Sequence, residues 1–268
     1  MSKYSILTCI FSGYEQIREV IDPDPDIEYI LVTDNQNLKS DTWQIKYYPQ
    51  LLDYPEGPDR WAYIRYHPFE FVNTDICLYI DGSIQILSSP KEMLEKFEKE
   101  EWEYGTLQNT ITNDIRYEVR RWAYYGYYGF QKEDSDRVCE FLDKNNYNSI
   151  GLLQSTMIIY KNTKFTHKIN DHTWTTMFIW GKPWQADRIN QTALTYAVWK
   201  MAYHDPRFIL MHPRFLWSKW FDYRYHGTEV SQKDGFHEFV NMTNDKNELI
   251  KSTYNFQDRI VFSWVPEI

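Results

Sequence analysis

Short apolar runs alternate with amphipathic segments along the first half of the chain. The runs are rich in β-forming residues and end in glycine, aspartate or asparagine, which is typical of strands that close with a turn. The segment that follows Ser89 differs, because it begins with a serine cap and a proline and repeats its apolar side chains at helical spacing. The predicted strands cover residues 4–11, 27–33, 42–47 and 76–80, and the predicted helices cover residues 58–67 and the stretch SSPKEMLEKFEKEEW.

The second half of the chain is less regular. No internal repeat and no low-complexity linker interrupts it, so we predict a single domain over residues 1–268. The tail from about Phe236 is polar and is predicted to form a surface loop. The predicted strands here cover residues 103–107, 156–160 and 208–211, and the predicted helices cover residues 133–145 and 187–201.

Strands separated by helices predict an α/β fold with a mixed, mostly parallel sheet flanked by helices. Polar residues follow three of the predicted strands: Ser12, Asp34 and Asp81. Because open α/β sheets bind ligands at the carboxyl ends of their strands, these residues are expected to converge on one ligand. Asp81 follows the most apolar strand, where a carboxylate is costly unless something binds it.

Composition and charge narrow the class of partner. The chain has 268 residues, 43% of them apolar, with a net charge of −9 and a pI near 5.3. This balance argues against binding by bulk electrostatics, as to duplex DNA or an anionic membrane surface. A local basic groove would still allow an anionic small molecule.

Three cysteines, Cys9, Cys77 and Cys139, are widely spaced, and no cysteine–histidine cluster has zinc-ligand spacing. This usage favours a reducing compartment. The first residues lack a signal-peptide pattern, and no apolar stretch approaches the length of a transmembrane helix. The sequence therefore predicts a cytoplasmic protein with no transmembrane segment.

Seven segments carry a further pattern, and they extend from Tyr4 to Trp199. They are ILTCIFSGYEQI, YILVTDN, DRWAYIRYHPF, YIDGSI, NDIRYEV, GLLQSTMIIYKN and QADRINQTALTYAVWK. In order and spacing they resemble the GT-A-fold nucleotide-sugar glycosyltransferases, and most closely the TOD/mucilage-related glycosyltransferase-like family. The chain departs from that family at Gln154, where many relatives carry glutamate.

The resemblance implies a GT-A-like, Rossmann-type fold, with residues 1–110 as the nucleotide-sugar-binding half and residues 111–268 as the acceptor-binding half. It also implies a hexosyltransferase-like enzyme. Such an enzyme moves a sugar from a nucleotide-sugar donor, a UDP-sugar by default, to a glycan or another hydroxyl acceptor, with help from Mn²⁺ or Mg²⁺. The net charge disfavours a nucleic-acid acceptor, although a local basic groove would allow one.

Asp81 is the residue on which the metal prediction depends. GT-A enzymes place an Asp-x-Asp motif at this strand end to hold a divalent cation on the donor diphosphate. Here the motif is Asp81-Gly82-Ser83, so a hydroxyl replaces the second carboxylate and Ser83 is expected to touch ribose or phosphate. The alternative is an Asp-Gly turn that needs no ligand.

The remaining donor residues follow from the same resemblance. Asp34 is expected to recognise the base, with an Asx turn as the alternative. Arg65 is expected to contact the diphosphate, because guanidinium forms bidentate bonds to phosphate. Arg60 lies about 140° away on the helix, where a solvated face explains it nearly as well. The same rim includes Thr8, Phe11, Gly13 and Tyr14.

On the acceptor side, the resemblance implies that Asp187 is the general base, and a helix cap is the alternative. The segment FDYRYHG resembles the closing segment of the family, which implies His226 as a second metal ligand, with His212 as second choice. A lone histidine is more often structural. Trp184 is predicted to stack on a sugar ring, although most aromatic residues are core fillers. The predicted sugar-binding residues are Asn113, Asp114, Gln154 and Ser155, with Tyr117 and Glu118 beside them and helix capping as the alternative for Asp114.

Two other functions fit parts of the pattern. A nucleotide-sugar hydrolase or nucleotidyltransferase would share the sheet, but the first strand lacks the glycine-rich basic loop that cradles a triphosphate. A catalytically inactive carbohydrate- or nucleotide-binding module would explain the missing second carboxylate after Asp81.

Overall fold

A mixed β-sheet forms the centre of the structure, a computed structural model that describes residues 2–49, 59–109, 114–126, 129–180, 186–225, 227, 228 and 231, with the main chain only for 59, 60 and 186–188. The strands are β1 (Tyr4–Ile10), β2 (Ile27–Thr33), β3 (Gln44–Tyr47), β4 (Ile76–Ile80), β5 (Ile84–Ile86), β6 (Tyr104–Gln108), β7 (Leu153–Lys161), β8 (Phe208–Met211) and β9 (Phe221–Tyr223). The helices are α1 (Asp59–Tyr66), α2 (Lys91–Lys99), α3 (Ile115–Tyr125), α4 (Lys132–Lys144), α5 (Lys164–Trp180) and α6 (Ala186–Met201).

Seven of the strands in the described ranges form the main sheet, in the order β3-β2-β1-β4-β7-β6-β8. Strand β7 runs antiparallel to both of its neighbours, and the other pairs are parallel. Strands β5 and β9 pair separately as a small antiparallel ribbon. The predicted α/β architecture with a mixed, mostly parallel sheet flanked by helices is therefore confirmed.

Both faces of the main sheet are covered, which explains why every residue of β1 and β4 is buried. Alternate side chains point to opposite faces, so Leu7 belongs to one core cluster and Ile6 to the other. Helices α1, α3, α4, α5 and α6 contribute to the first cluster. Helix α2 and the small ribbon contribute to the second cluster, through residues such as Phe97 and Phe221.

Helix α5 is the main element that the sequence pattern does not predict. Its buried face carries threonine and asparagine as well as apolar side chains, so the helical period of hydrophobic residues is obscured. Trp174 packs against the core from this helix, and Trp180 is fully buried. These two tryptophans therefore pack in the core, which is the usual role of large aromatic side chains.

The proposed division at residue 110 stays a prediction, and β7 and β8 from beyond it join the same sheet as β1. All three cysteines are buried, and none of them forms a disulfide bond. Within the described ranges, every helix is too short or too polar to cross a bilayer.

Candidate functional site

A cavity of about 240 Å³ opens beside the carboxyl ends of β1 and β4. Strand β2 lies on one side of β1 and β4 on the other, so the chain order reverses between β1 and β4. Open α/β sheets bind ligands at such switch points, because the loops that leave the two strands diverge and form a crevice. Phe11 after β1 and Asp81 after β4 both line this cavity.

An ion pair between Arg65 and Asp81 lies in the cavity wall. Arg65 Nη2 is 2.6 Å from Asp81 Oδ1, and the Tyr79 hydroxyl donates to the same oxygen at 3.0 Å. Arg65 is buried, whereas the side chain of Asp81 is 25% exposed. Both bonds that the described residues make to this carboxylate end on Oδ1, so Oδ2 is available to a ligand.

Helix α1 and strand β4 hold this pair in place. Tyr79 lies two residues before Asp81, and side chains two apart share a face of the strand. The guanidinium carbon of Arg65 lies 4.9 Å from the centre of the Tyr79 ring. Burial raises the pKa of the Tyr79 hydroxyl well above its usual value, against an opposing effect of Arg65, so the hydroxyl stays protonated and donates.

A second hydrogen-bond chain continues from Arg65 across the cavity wall. Its Nη1 donates to Ser155 Oγ at 3.0 Å, and Ser155 Oγ donates to Asn190 Oδ1 at 2.7 Å. This chain connects α1, β7 and α6, so the orientation of the guanidinium is fixed from two sides.

Uncharged amides form another part of the lining. Asn109 follows β6, Gln154 lies in β7, and Asn190 and Gln191 lie in α6. Asn109 Nδ2 donates to Gln191 Oε1 at 3.0 Å, and Gln154 Nε2 donates to Thr156 Oγ1 at 2.9 Å. Amides both donate and accept, which suits a ligand that carries hydroxyl groups.

Helix α3 contributes a carboxylate, Glu118, together with Arg121 and Trp122. Glu118 Oε1 accepts from Arg121 Nη2 and from Trp122 Nε1, each at 2.8 Å. Its Oε2 is buried and has no hydrogen-bond partner among the described residues, and the same is true of Ser83 Oγ. Buried polar atoms are rarely left unpaired, so two such atoms on residues that line one cavity indicate a ligand or water there.

Aromatic side chains stand at the mouth of the cavity. Tyr14 is half exposed, and its ring centre lies 5.2 Å from that of Trp61. The preceding residues Ser12 and Gly13 have φ angles of 54° and 65°, in the left-handed region, which Gly13 adopts without strain. The Asp34 carboxylate holds this turn by accepting the Ser12 N–H at 3.0 and 3.2 Å.

Strand β9 and the residues that follow it close one side of the site. Tyr223 lines the cavity, and the N–H of Arg224 donates to the carbonyl of Ser83 at 3.0 Å. The N–H of Gly227 donates to Oε2 of the buried Glu15 at 3.0 Å. The late part of the chain is thereby attached to the loop that follows β1.

The cavity brings together nine of the predicted site residues: Phe11, Tyr14, Arg65, Asp81, Gly82, Ser83, Glu118, Gln154 and Ser155. Five others lie elsewhere. Thr8 is buried within β1, Gly13 belongs to the turn after β1, and Asp34 follows β2 and accepts a hydrogen bond from that turn. Asp114 caps α3, and Tyr117 is exposed on the same helix. Asn113, Trp184 and His226 lie outside the described residues, as do the side chains of Arg60 and Asp187.

Asp114 caps the N-terminus of α3, which is the alternative that the sequence analysis gave for this residue. Its Oδ1 accepts the N–H groups of Arg116 at 2.7 Å and Tyr117 at 3.2 Å. The other metal candidate, His212, also caps a turn, since its Nδ1 accepts the N–H of Arg214 at 3.1 Å. Burial, aided by the nearby Arg214 cation, lowers the pKa of His212 to about 4, so this imidazole is neutral at physiological pH.

Replacing Asp114 by alanine is expected to lower the unfolding free energy by about 1 kcal/mol, the usual cost of losing a helix cap. Thermal unfolding should show a decrease of about 2 °C. The exposed Asp136→Ala change in α4 is the control, because its pair with Lys132 is a surface pair of small value. An unchanged melting temperature combined with weaker ligand binding would instead assign Asp114 to a substrate.

Several lining residues were not predicted. Tyr79 has a sequence signal, because it lies two positions before Asp81 on the same strand. Asn190 and Gln191 have one too, since they lie one helical turn after Asp187. The sequence carries no distinctive pattern for the other lining residues that were not predicted, which are Cys9, Ile10, Glu15, Trp61, Asn109, Arg121, Trp122, Thr156 and Tyr223.

A divalent cation would find a suitable oxygen in Oδ2 of Asp81. Among the described residues, no three histidine, cysteine, aspartate or glutamate side chains come together as a metal site. Mg²⁺ and similar ions commonly take one or two carboxylates and complete their shell with phosphates and water. Asp81 therefore fits a cation that is held largely by the ligand's own phosphates.

No protein-family model matches this chain, and no curated protein matches it in sequence. Solved structures do show similarity. Mouse xyloside xylosyltransferase 1, in its apo form, matches 78% of this chain and 84% of its own length, with 9% identity and a TM-score of 0.41. The galactosyltransferase LgtC, in complex with donor and acceptor sugar analogues, matches 71% of this chain and 70% of its own, with 12% identity and a TM-score of 0.38. The glycosyltransferase GlyE of Streptococcus pneumoniae matches 81% of this chain and 47% of its own, with 11% identity and a TM-score of 0.43.

Proposed function

We propose that this protein is a glycosyltransferase that moves a sugar from a nucleotide-sugar donor, with a UDP-sugar as the default, to a glycan or another hydroxyl acceptor. One observation carries the proposal. A buried arginine and a partly exposed aspartate meet at the switch point of the sheet, in a cavity otherwise rich in amides and aromatic rings. The sequence motifs that contain Arg65 and Asp81 support the same function.

The donor diphosphate is assigned to Arg65. Its guanidinium is fixed by Ser155 and Tyr79, so little orientation entropy is lost when it meets phosphate oxygens. The base is assigned to the mouth, where the exposed ring of Tyr14 offers a stacking face and Asp34 lies on the same rim. Ser83, with its unpaired hydroxyl, is assigned to ribose or phosphate.

Mn²⁺ or Mg²⁺ is part of the proposal, with Asp81 as its protein ligand and His226 as a second candidate. Such a cation, when bound, neutralises charge that develops on the departing diphosphate. The residues of this chain do the remaining work of binding and orienting the donor.

The acceptor is assigned to the side of the cavity formed by α6. Asp187 lies in the first turn of that helix, one turn before Asn190 and Gln191, which both line the cavity. In this assignment Asp187 takes the proton from the acceptor hydroxyl while the oxygen of that hydroxyl attacks the anomeric carbon of the donor sugar. The bond from that carbon to the diphosphate breaks, and nucleoside diphosphate leaves.

Thermal unfolding with UDP and Mn²⁺ is the first test. Binding of UDP at 100 times its dissociation constant is expected to stabilise the fold by about 2.7 kcal/mol, which is readily measured. The protein is then incubated with individual UDP-sugars, first without an acceptor and then with a mixture of glycan acceptors. The products are identified by mass spectrometry. Transfer to an acceptor supports the proposal, whereas rapid hydrolysis without acceptor would assign a hydrolase.

One observation favours a second candidate, a nucleotide- or sugar-binding module without catalysis. Asp81 Oδ1 is already held by Arg65, and the position of a second carboxylate is taken by the buried Ser83. Binding of UDP-sugars without turnover on any acceptor would select this candidate. Absence of stabilisation by UDP would contradict both.

A further inference from the structure

Asn190 is a buried amide on α6 to which the proposed chemistry assigns no task. It is 2% exposed, although it belongs to the lining of the cavity. Its Oδ1 accepts a hydrogen bond from the hydroxyl of Ser155 at 2.7 Å, and Ser155 is 1% exposed. The oxygen of this amide is therefore engaged by a protein group before any ligand arrives.

The amide of Asn190 sets the direction of the Ser155 hydroxyl. A serine hydroxyl carries a single hydrogen and two acceptor lone pairs. Ser155 gives that hydrogen to Asn190, so its lone pairs are left to accept from Arg65, whose Nη1 donates to Ser155 Oγ at 3.0 Å. Without the amide, the hydroxyl would be free to rotate, and its bond to the guanidinium would lose alignment.

The backbone at both ends of this hydrogen-bond chain is fixed as well. The hydroxyl of Tyr66 in α1 donates to the carbonyl of Asn190 at 3.3 Å. The hydroxyl of Tyr160 in β7 donates to the carbonyl of Arg65 at 2.7 Å. Both tyrosines are buried, and buried polar groups are costly to leave unpaired. The guanidinium and the amide are thus held in one relative position.

The chain of Arg65, Ser155 and Asn190 also joins the two sides of the proposed reaction. Asp187 and Asn190 lie three positions apart in α6, which is close to one helical turn. The donor diphosphate is assigned to Arg65, and the acceptor proton is assigned to Asp187. The same helix that carries the proposed base therefore also supports the group that is assigned to the donor.

We propose that Asn190 is a positioning residue for the donor. Acting through Ser155, it orients the guanidinium of Arg65 toward the diphosphate and makes no contact with the nucleotide. This inference rests on the proposed function, because it takes the diphosphate to bind at Arg65. It also gives Ser155 a different task from the sugar binding that the family resemblance implies, namely to hold Arg65.

A double-mutant cycle between Asn190 and Arg65 tests this role, with calorimetric titration of UDP as the measurement. Asn190→Ala should weaken UDP binding about three- to tenfold, the factor that corresponds to one hydrogen bond. In the Arg65→Gln background the same change should weaken UDP binding less than about twofold, because the group that Asn190 orients is gone. An equal factor in both backgrounds would show that Asn190 contacts the nucleotide itself and would overturn the inference, as would an unchanged affinity in the single variant.

Ser155→Ala is the second variant, and it decides the inference if one of the other two variants does not fold. It should weaken UDP binding by the same factor as Asn190→Ala, because both changes release the guanidinium. The combination of Ser155→Ala with Asn190→Ala should be no weaker than either single variant, and its combination with Arg65→Gln no weaker than Arg65→Gln alone. Effects that multiply in these combinations would contradict a shared chain.

The control is Asn170→Ala, which removes another buried amide, on α5 and outside the cavity lining. It should leave UDP affinity unchanged. A loss equal to that of Asn190→Ala would show a general effect of removing a buried amide and would overturn the inference. Absence of UDP binding by the unmodified protein would overturn the proposed function together with it, whereas UDP binding with independent effects of the variants would overturn this inference alone.

Discussion

Replacing Arg65 by glutamine is expected to weaken the binding of UDP by about 10- to 100-fold. The guanidinium is the one cationic side chain of the described lining that is assigned to the diphosphate, and a hydrogen bond to a charged group contributes about 1.5–3 kcal/mol. Arg65 is already oriented by Ser155 and Tyr79, so its contribution is not reduced by the cost of ordering a flexible side chain. Calorimetric titration with UDP measures the effect.

The same change should also destabilise the fold, because it leaves the Asp81 carboxylate without its cation. Breaking a buried pair costs about 3–5 kcal/mol, and a smaller cost of about 2 kcal/mol is expected here since Asp81 is partly exposed. Arg116→Gln is a matched control, because Arg116 pairs with Asp143 at 2.8 Å and neither residue lines the cavity. It should leave UDP affinity unchanged, and a loss equal to that of Arg65→Gln would remove the assignment of the diphosphate to Arg65.

Replacing Asp81 by asparagine is expected to abolish sugar transfer and to separate two roles of this carboxylate. As a metal ligand, Asp81 makes UDP binding stronger when Mn²⁺ is present. As the partner of Arg65, it competes with the diphosphate for the guanidinium. The variant should therefore lose the gain in UDP affinity that Mn²⁺ provides, whereas with EDTA its affinity should equal or exceed that of the unmodified protein.

Calorimetry with UDP in Mn²⁺ and in EDTA measures the two effects, and circular dichroism checks that the fold is intact. The control is Ser88→Ala, which removes a surface hydroxyl that donates to the carbonyl of Lys219. This variant should leave both UDP affinities unaltered. Turnover retained by the Asp81 variant would count against the proposed function. Weaker UDP binding with EDTA would show that Asp81 contacts the nucleotide directly and does not merely compete for Arg65.

The architecture could be predicted because its signals are local. Strand β4 is an uninterrupted apolar run, and its end is marked by an aspartate followed by glycine. Helix α2 has the predicted apolar face, but its N-cap is Pro90 and not Ser89, whose hydroxyl accepts the Lys91 N–H from the position before the cap. Helix α5 was missed since threonine and asparagine on its buried face conceal the period that identifies a helix.

The candidate site could be predicted only in part, because its contacts join distant segments. Arg65 and Asp81 were each predicted as ligand-binding residues, but their mutual ion pair follows from how α1 crosses the sheet. Asn109 and Gln191 are ordinary surface residue types, and only their positions in the folded chain bring them to the cavity. The position of Asp114 in the sequence fits both a sugar-binding residue of the family and a helix cap. The hydrogen bonds that it accepts from the start of α3 show that it forms the cap.

The attachment of Gly227 to Glu15 has a consequence for how the protein is made. The two residues are 212 positions apart, so closing this contact costs more chain entropy than any local contact and is expected to come late in folding. During synthesis from the N-terminus, the parallel strands emerge well before the segment that seals the cavity. A nascent chain thus holds an open, unfinished crevice, and donor cannot be enclosed until translation has passed residue 227.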